Sequence, residues 1–357
     1  MAPDRGSEVH MDIQSVETSL SGLSVQDDSI LAKTSAITTP SPDGAGSTPP
    51  HLSHDPATNA KQADPFQFGQ RYLSESDDVF EYNAWDHVVP DAAHDEYCES
   101  QYAAQRASPV SDFDRSRFNE HPEKWWDLFY KQKTSTFFKD RKWLVQEFPL
   151  LQEVTRSDAG KKVVLEVGAG AGNTAFPIFR LNQNPDLKIF AVDFSKKAVE
   201  TMRDAEDYKS SNGIVAAEVW DAASDTLPPG VEEGSVDVVI MIFIFSALNP
   251  KQWQQAVTNI QRALKPGGEV LFRDYGRGDL AQVRFKAGRY MEENFYVRGD
   301  GTRVYFFDKE ELETIWGGAF EISDLDVDRR LIVNRQRRIK MYRCWIQGRF
   351  RRRDQTE

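Results

Sequence analysis

An α/β fold built on a mostly parallel sheet is predicted by three features of this sequence. The first is the stretch from Val163 to Thr174, Val-Val-Leu-Glu-Val-Gly-Ala-Gly-Ala-Gly-Asn-Thr, in which a buried strand runs into Gly168, Gly170 and Gly172. The second is the succession that follows, short apolar strands ending in an acid or a polar turn and alternating with residues at helical spacing. The third is Val236 to Phe245, so continuously apolar that it reads as a central parallel strand buried on both faces. Together they predict a Rossmann-like body with a mostly parallel, seven-stranded sheet, preceded by an N-terminal helical and extended extension.

Composition sets the bounds. With 357 residues, 39% of them hydrophobic, the chain can bury one sizeable core, and 17 prolines with a mean hydropathy of -0.58 favour a core plus an unstructured part. The net charge of -12 argues against a polyanion partner only until its distribution is read. Residues 1 to 111 hold 5 Lys/Arg against 18 Asp/Glu, which leaves the remainder at +1. Two cysteines, Cys98 and Cys344, are too few for a disulfide framework and suit a reducing compartment. No apolar run reaches a membrane span, and the acidic N-terminus is unlike an Arg-rich presequence. A cytoplasmic protein is expected, with nuclear access compatible.

Residues 1 to 64, rich in Ser, Thr, Pro, Asp and Gly, are expected to form a disordered acidic tail. From Asp64 the aromatics Phe66, Phe68, Tyr72, Phe80, Tyr82 and Trp85 crowd together, which predicts an arm packed on the body. Residues 90 to 117 read as a second linker, completing an arm-and-linker segment over 65 to 117 and leaving 118 to 353 as the body. His121-Pro122 opens a helix with Trp125, Trp126, Phe129 and Tyr130 on a broad aromatic face. A further helix is expected beyond Phe138, with Asp140 as its N-cap.

The glycine loop lacks the third glycine of Gly-x-Gly-x-x-Gly, since that position is Asn173, so NAD or FAD fits poorly. The strand from Lys188 ends at Asp193, 21 residues beyond Gly172, the distance at which a carboxylate accepts hydrogen bonds from ribose hydroxyls. Ser195 caps the next helix. The strand from Ile214 ends at Trp220-Asp221, which sets a second carboxylate at the same edge, placed to accept from an adenine amino group; Asp225 and Asp237 read as surface or turn residues. A helix from Pro250 stops at Pro266-Gly267-Gly268, and the strand from Glu269 carries Arg273, Asp274 and Tyr275 to the sheet edge where ligands bind. Gly299-Asp300-Gly301 marks a hairpin, and two strand-like runs close the chain. Residues 327 to 353 hold eleven Lys/Arg and one acid, Asp328, a stripe suited to a polyanion.

Absences narrow the chemistry. All six histidines precede the glycine loop, which disfavours a histidine base or a His-containing metal site in the body, and no metal is expected. Methylation of cytosine carbon 5 uses a Cys after Pro, yet Tyr97 precedes Cys98 and Arg343 precedes Cys344. Exocyclic-amine chemistry uses Asp/Asn-Pro-Pro-aromatic, where this chain has Ser246-Ala247-Leu248-Asn249-Pro250-Lys251. An acceptor with a free lone pair, such as cytosine N3, needs alignment and no strong base.

Glu166 with the three glycines resembles motif I of S-adenosylmethionine-dependent methyltransferases. A more specific resemblance is carried by Trp126-Asp127-Leu128-Phe129-Tyr130, Phe137 to Leu144, Ile242-Phe243 with Ser246-Ala247, Leu271 to Gly276, Glu293 to Arg298 and Asp300 to Arg303. These runs are similar to the eukaryotic tRNA N3-methylcytidine methyltransferases, which modify position 32 of the anticodon loop, over about residues 65 to 350. Phe68-Gly69-Gln70-Arg71, Asp78-Val79-Phe80 and Asn83-Ala84-Trp85-Asp86 resemble the branch acting on threonine tRNAs, in some animals also an arginine tRNA; Ala169 departs from members with Cys there. The resemblance implies that Trp126 and Tyr130 close over S-adenosylmethionine. It assigns Glu166, Gly168, Gly170, Gly172, Asp193, Asp221, Ala222 and Ile242 to cofactor binding, with Phe243 an alternative to Ile242 at the adenine pocket.

For the acceptor, a flipped cytosine is expected to stack on Phe138 or Tyr275, with Arg141, Arg273 and Asp274 fixing its edge and balancing the cation formed; Arg273 and Asp274 read equally as a structural ion pair. Lys139, Arg298, Arg303, Arg335, Arg337, Arg338 and Lys340 are the expected nucleic-acid contacts. The implied partner is the tRNA anticodon stem-loop, of threonine tRNAs first with arginine or serine tRNAs as alternatives, with room for a protein cofactor such as an aminoacyl-tRNA synthetase or a tRNA-binding adaptor. Methylation of another acceptor, protein or other RNA, and an RNA-binding scaffold with a vestigial fold are the alternatives. The basic run weighs against a small-molecule acceptor, and the two placed carboxylates against the scaffold.

Overall fold

The structure is a computed structural model that describes residues 71–133, 138–141 and 143–353. The tail over 1 to 64 and the aromatics Phe66 and Phe68 lie outside the described residues. The order of elements is β1 (Ala84–Asp86), α1 (Ala92–Ala107), α2 (Asp112–Glu120), α3 (Pro122–Lys133), β2 (Lys162–Val167), α4 (Ala175–Leu181), β3 (Leu187–Asp193), α5 (Lys196–Asp204) and β4 (Val215–Val219). There follow β5 (Val236–Ile242), α6 (Trp253–Ala263), β6 (Leu264–Tyr275), β7 (Tyr290–Glu292), β8 (Phe295–Val297), β9 (Arg303–Tyr305), α7 (Lys309–Gly317), β10 (Phe320–Asn334) and β11 (Ile339–Arg352). Single helical turns at Leu144–Glu147, Leu150–Val154, Glu206–Ser210 and Leu280–Val283 fill the connections.

One sheet has the order β1-β10-β11-β6-β5-β2-β3-β4. The five strands from β6 to β4 are parallel, and β11, β10 and β1 add to β6 in antiparallel register. Seven of the strands come from the body and the eighth, β1, from the arm. The strand order reverses between β2 and β5, so a crevice opens at their carboxyl ends, where open α/β sheets bind ligands. The apolar run of β5 alternates between two cores, Val239 and Met241 in one and Val238, Ile240 and Ile242 in the other.

The arm is clipped to the free side of β10. Trp85 is completely buried against Leu331, Val333 and Tyr342, and its indole N–H donates to the Val79 carbonyl at 2.7 Å. Asp86, also buried, pairs with Arg330 at 2.6 Å and accepts the Arg71 backbone N–H at 3.0 Å. Two expectations fail here. Residues 90 to 117 are not a linker, because α1 and α2 occupy most of them. The inward face of α1 is Cys98, Tyr102 and Gln105, a stripe too polar to show as apolar periodicity, and no side chain of α2 is fully buried, Phe118 packing only partly against the core. Asp140 is not an N-cap either. It pairs with Arg180 at 2.5 Å, while the turn at Leu144 starts after Trp143 without a side-chain cap.

Trp85→Ala removes the anchor of the arm and should lower stability by about 3–5 kcal/mol, the usual range for a buried large aromatic. Urea denaturation would measure it. An unchanged midpoint would mean that the arm contributes nothing to the body.

Candidate active site

The glycine loop is built for close approach. Gly168 and Gly170 have φ of +68° and +59°, and a Cβ at Gly170 would lie 2.5 Å from the Tyr130 hydroxyl. Across the switch point, a Cβ at Gly168 would meet the Ile244 side chain at 2.6 Å. Any larger residue would therefore displace either the helix above the loop or the segment beyond β5. Gly172 completes the loop before α4, with φ +88°.

Asp193 ends β3 and ties this loop to its neighbours. One carboxylate oxygen accepts the Gly170 N–H and the other the Ser195 N–H, both at 2.9 Å. Burial pushes this carboxyl up to about 6, against the pull of those two N–H groups. Glu166, near the end of β2, is buried. It accepts the Ala175 N–H at 2.9 Å at the start of α4, with Arg141 3.9 Å away, and burial pushes it up to about 7. These contacts tie the end of β2 to the start of α4 behind the glycine loop.

Helix α3 lies over the loop. Asp127 accepts the Ser195 hydroxyl at 2.6 Å and the Lys197 N–H at 3.1 Å, which fastens α3 to the start of α5. This brings Tyr130 onto Gly170, with Trp126 half-buried beside it at a ring separation of 6.2 Å. Burial holds the Tyr130 phenol well above its usual range, with Asp193 and Glu166 adding to the shift and Arg141 opposing it. Asp221, half-buried after β4, accepts the Ala223 N–H at 2.9 Å. Ala222 next to it is buried, and its carbonyl accepts from the Asn259 side chain at 2.9 Å. Ile242 closes β5 as core.

Phe243 follows in a conformation rare for a bulky residue, with φ +58°. The Arg273 carbonyl holds its N–H at 2.8 Å. Its ring is half-buried, 4.9 Å from the Tyr275 ring and 6.0 Å from the Arg141 guanidinium. Asp274 is fully buried, accepts the Ser246 N–H at 2.9 Å and the Tyr275 N–H at 2.8 Å, and is pushed up to about 6 by burial. The Arg298 guanidinium lies 5.7 Å from the Tyr275 ring and draws the Asp274 carboxyl back down.

Not every expected site residue meets the others. Arg273 alternates to the opposite face of β6, where it bonds Gln347 at 2.6 Å and Asp328 at 2.5 Å between Trp143 and Trp345. Its ion-pair partner is Asp328 and not Asp274, which corrects the reading of Arg273 and Asp274 as a structural ion pair. Arg141 sits on the loop, its backbone N–H on the Asn173 carbonyl and its side chain on Thr174 at 3.0 Å. Phe138 packs 5.7 Å from Phe129, and its carbonyl accepts the Asn173 side-chain amide at 3.0 Å.

Among the expected nucleic-acid contacts, Arg298 and Arg303 are buried and internally bonded, since Arg298 donates to the Arg303 carbonyl and Arg303 to Asn119, the Ala247 carbonyl and Gln252. Lys139, Arg335, Arg337, Arg338 and Lys340 are exposed. The last four belong to the turn between β10 and β11 or its edge. Strand β11 pairs with β6 from Trp345 opposite Tyr275, so residues 339 to 344 run on past the carboxyl end of β6. That carries the turn on the order of 20 Å beyond the sheet edge where the crevice opens. Sequence reasoning gave no role to Asp127, which fastens α3, or to Ser246, whose N–H holds Asp274, and it had no signature in residue type for the positive φ of Phe243.

Residues 165–270 match the family described as a methyltransferase domain. The chain is 50% identical over 289 residues to a tRNA(Thr) (cytosine(32)-N(3))-methyltransferase of Saccharomyces cerevisiae, covering 80% of this chain and 46% of that protein. It is 50% identical to a tRNA N(3)-methylcytidine methyltransferase of Schizosaccharomyces pombe, covering 79% of this chain and 91% of that one. A Drosophila melanogaster tRNA N(3)-methylcytidine methyltransferase is 44% identical, with 79% and 87% covered. The chain belongs to the tRNA N3-methylcytidine methyltransferase family.

The methyl donor of this family is S-adenosylmethionine, and the residues present fit it. A loop that no Cβ could enter, a buried carboxylate at the end of β3, a second carboxylate after β4 and an aromatic helix above them are suited to a nucleoside carrying a zwitterionic tail. Among the described residues, no helix is long and apolar enough to cross a membrane.

The raised Glu166 has a measurable consequence. Because burial lifts its folded value above that of the unfolded chain, its contribution to stability is complete below about pH 4.5 and is lost as pH rises through about 7. Glu166→Gln should remove this decline, so denaturation midpoints of the variant relative to the parent should rise between pH 5 and pH 8. A pH-independent difference would show that Glu166 does not titrate in this window.

Proposed function

We propose that this chain transfers a methyl group from S-adenosylmethionine to N3 of cytosine 32 in the anticodon loop of tRNA, with threonine tRNAs the first class of substrate. The observation that carries the reading is the contact of the glycine loop, tied to Asp193, with the segment beyond β5 that carries Phe243, whose ring packs on Tyr275 next to buried Asp274 in the chain. Family membership and the exposed basic turn at the same end of the sheet support tRNA as the acceptor.

S-adenosylmethionine, when bound, supplies a methyl carbon made electrophilic by a sulfonium. The glycine loop would hold its methionine end, Asp193 its ribose hydroxyls and Asp221 its adenine, while Trp126 and Tyr130 exclude water from above. The flipped cytosine stacks against Phe243 and Tyr275, each good stack contributing about 1–3 kcal/mol. N3 keeps its lone pair at neutral pH, so the site needs no base to generate the nucleophile. Asp274 accepts from the exocyclic amino group, which sets N3 toward the methyl carbon. As N3 takes the methyl, the base becomes a cation, and the ionised Asp274 balances it. Ser246 and Tyr275 backbone N–H groups hold that carboxylate in place. Lys139, Arg335, Arg337, Arg338 and Lys340 contact tRNA phosphates, and transfer takes place in the cytoplasm.

The first test is transfer of labelled methyl from S-adenosylmethionine to tRNA lacking the modification, read by nucleoside mass spectrometry. 3-Methylcytidine at position 32 is expected, and Asp193→Ala should reduce it by at least about 100-fold, as for loss of a major binding and orienting group. Methyl on any other nucleoside would overturn the assignment. Absence of transfer with cofactor bound would require an aminoacyl-tRNA synthetase, an adaptor or a prior modification.

Asp274 sets the pH dependence. Since it must be ionised to balance the cation and burial lifts it to about 6, turnover should fall as pH drops through about 6. Asp274→Asn should lose that limb and turn over slowly at every pH. A wild-type rate from the variant would remove Asp274 from the chemistry.

A further inference from the structure

The hairpin of β8 and β9 ends in the turn from Arg298 to Arg303, and this turn touches both sides of the crevice. Its backbone is tightly set: the Arg298 N–H donates to the Thr302 carbonyl at 2.7 Å and the Gly301 N–H to the Arg298 carbonyl at 3.0 Å. Asp300 accepts the Thr302 N–H and hydroxyl at 2.9 and 2.7 Å. On one side, Gly301, at φ +86°, lies so close under the Trp125 indole that a Cβ there would sit 2.2 Å from the ring. Trp125 is in the first turn of α3, one residue before Trp126, and Phe118 and Arg117 pack against it at 5.1 and 5.0 Å. Arg303 strengthens the same junction by donating to Asn119 at the end of α2 at 2.9 Å and to the Ala247 carbonyl beyond β5 at 3.2 Å. On the other side, Arg298 lies over Tyr275.

Helix α3 is thus held at two points. Its middle is fastened to α5 through Asp127, and its start rests through Trp125 on a glycine of a hairpin whose other flank reaches the acceptor side. We infer that the Arg298–Arg303 turn is the seat of the cofactor-covering helix, and that Trp125 is a positioning residue for the donor site, acting through Trp126 and Tyr130. The inference rests on the reading that this crevice takes S-adenosylmethionine. It gives buried Arg298 and Arg303 a purpose that their burial denies them as phosphate contacts. It also makes glycine at 301 a requirement of the contact as well as of the backbone.

The test compares Trp125→Ala, Trp125→Phe and Gly301→Ala in the full chain. S-adenosylmethionine affinity is measured by calorimetry, kcat and KM by methyl transfer, and tRNA affinity separately. Gly213→Ala is the control, because Gly213 has the same φ of +86° with nothing within 4 Å, so it carries the backbone strain without the collision. Trp125→Ala and Gly301→Ala should each raise Kd and KM for S-adenosylmethionine about tenfold, a coupling of ordinary size, with kcat at saturation and tRNA affinity within about twofold. Trp125→Phe should recover most of the loss, and Gly213→Ala should leave both constants unchanged. In the double variant, Gly301→Ala should add little to Trp125→Ala, since the ring it collides with is gone.

Equal cofactor affinity in Trp125→Ala and the parent would overturn the seat while leaving the proposed function standing. Strictly additive effects in the double variant would do the same. A parent chain that binds no S-adenosylmethionine would overturn both. If Trp125→Ala does not fold, Trp125→Phe and Gly301→Ala decide between these outcomes.

Discussion

The buried carboxylate of Asp193 fastens three segments to one another. It accepts N–H groups from the glycine loop and from the start of α5, while its own position is set by the end of β3. A carboxyl taken this far from water is costly unless hydrogen-bonded, and two N–H donors at 2.9 Å offset part of that cost. Asp193 ends β3, the strand next to β2, where the strand order reverses toward β5. Sheet topology and loop geometry therefore converge on one side chain. Ser195 then links it onward to Asp127 and the helix above.

The glycine loop with Asp193 and Asp221 was legible in the sequence because it depends on local backbone geometry and on the length of one βαβ unit. The same holds for the central position of β5, whose apolar run admits no exposed face. What stayed hidden depends on partners distant in the chain. Arg273 and Asp274 are adjacent, yet strand alternation separates them, and Arg273 finds Asp328 55 residues on. Helix α1 escaped notice because its inward stripe is polar. Gln105 alone serves three carbonyls of the segment from Gln282 to Phe285 and accepts the Tyr296 hydroxyl, so its burial is driven by hydrogen bonds more than by apolar area.

Charge distribution was the most misleading signal. A stripe of eleven basic residues suggested a continuous polyanion surface, but several of them are internal ties. Arg330 is bound to Asp86, Arg343 to Asp279 and Arg349 to Glu269. The exposed set is concentrated at the turn between β10 and β11, and even there Arg338 lies 4.0 Å from the Phe80 ring and Arg335 donates to the Phe80 carbonyl. The arm and the basic turn are thus one surface, although they are about 250 residues apart in sequence.

The clip formed by Ala84–Asp86 also bears on the exposed edge of the sheet. Strand β10 is 15 residues long and would otherwise end the sheet with an open row of backbone donors and acceptors. The arm covers positions 329 to 333 of that row, from the Arg329 carbonyl to the Val333 N–H. Its three-residue strand is too short to serve as a new template, and the buried Trp85 keeps it in register. Over these five positions the edge is paired by a segment of the same chain, so strand pairing with another molecule has no open backbone groups there on which to begin.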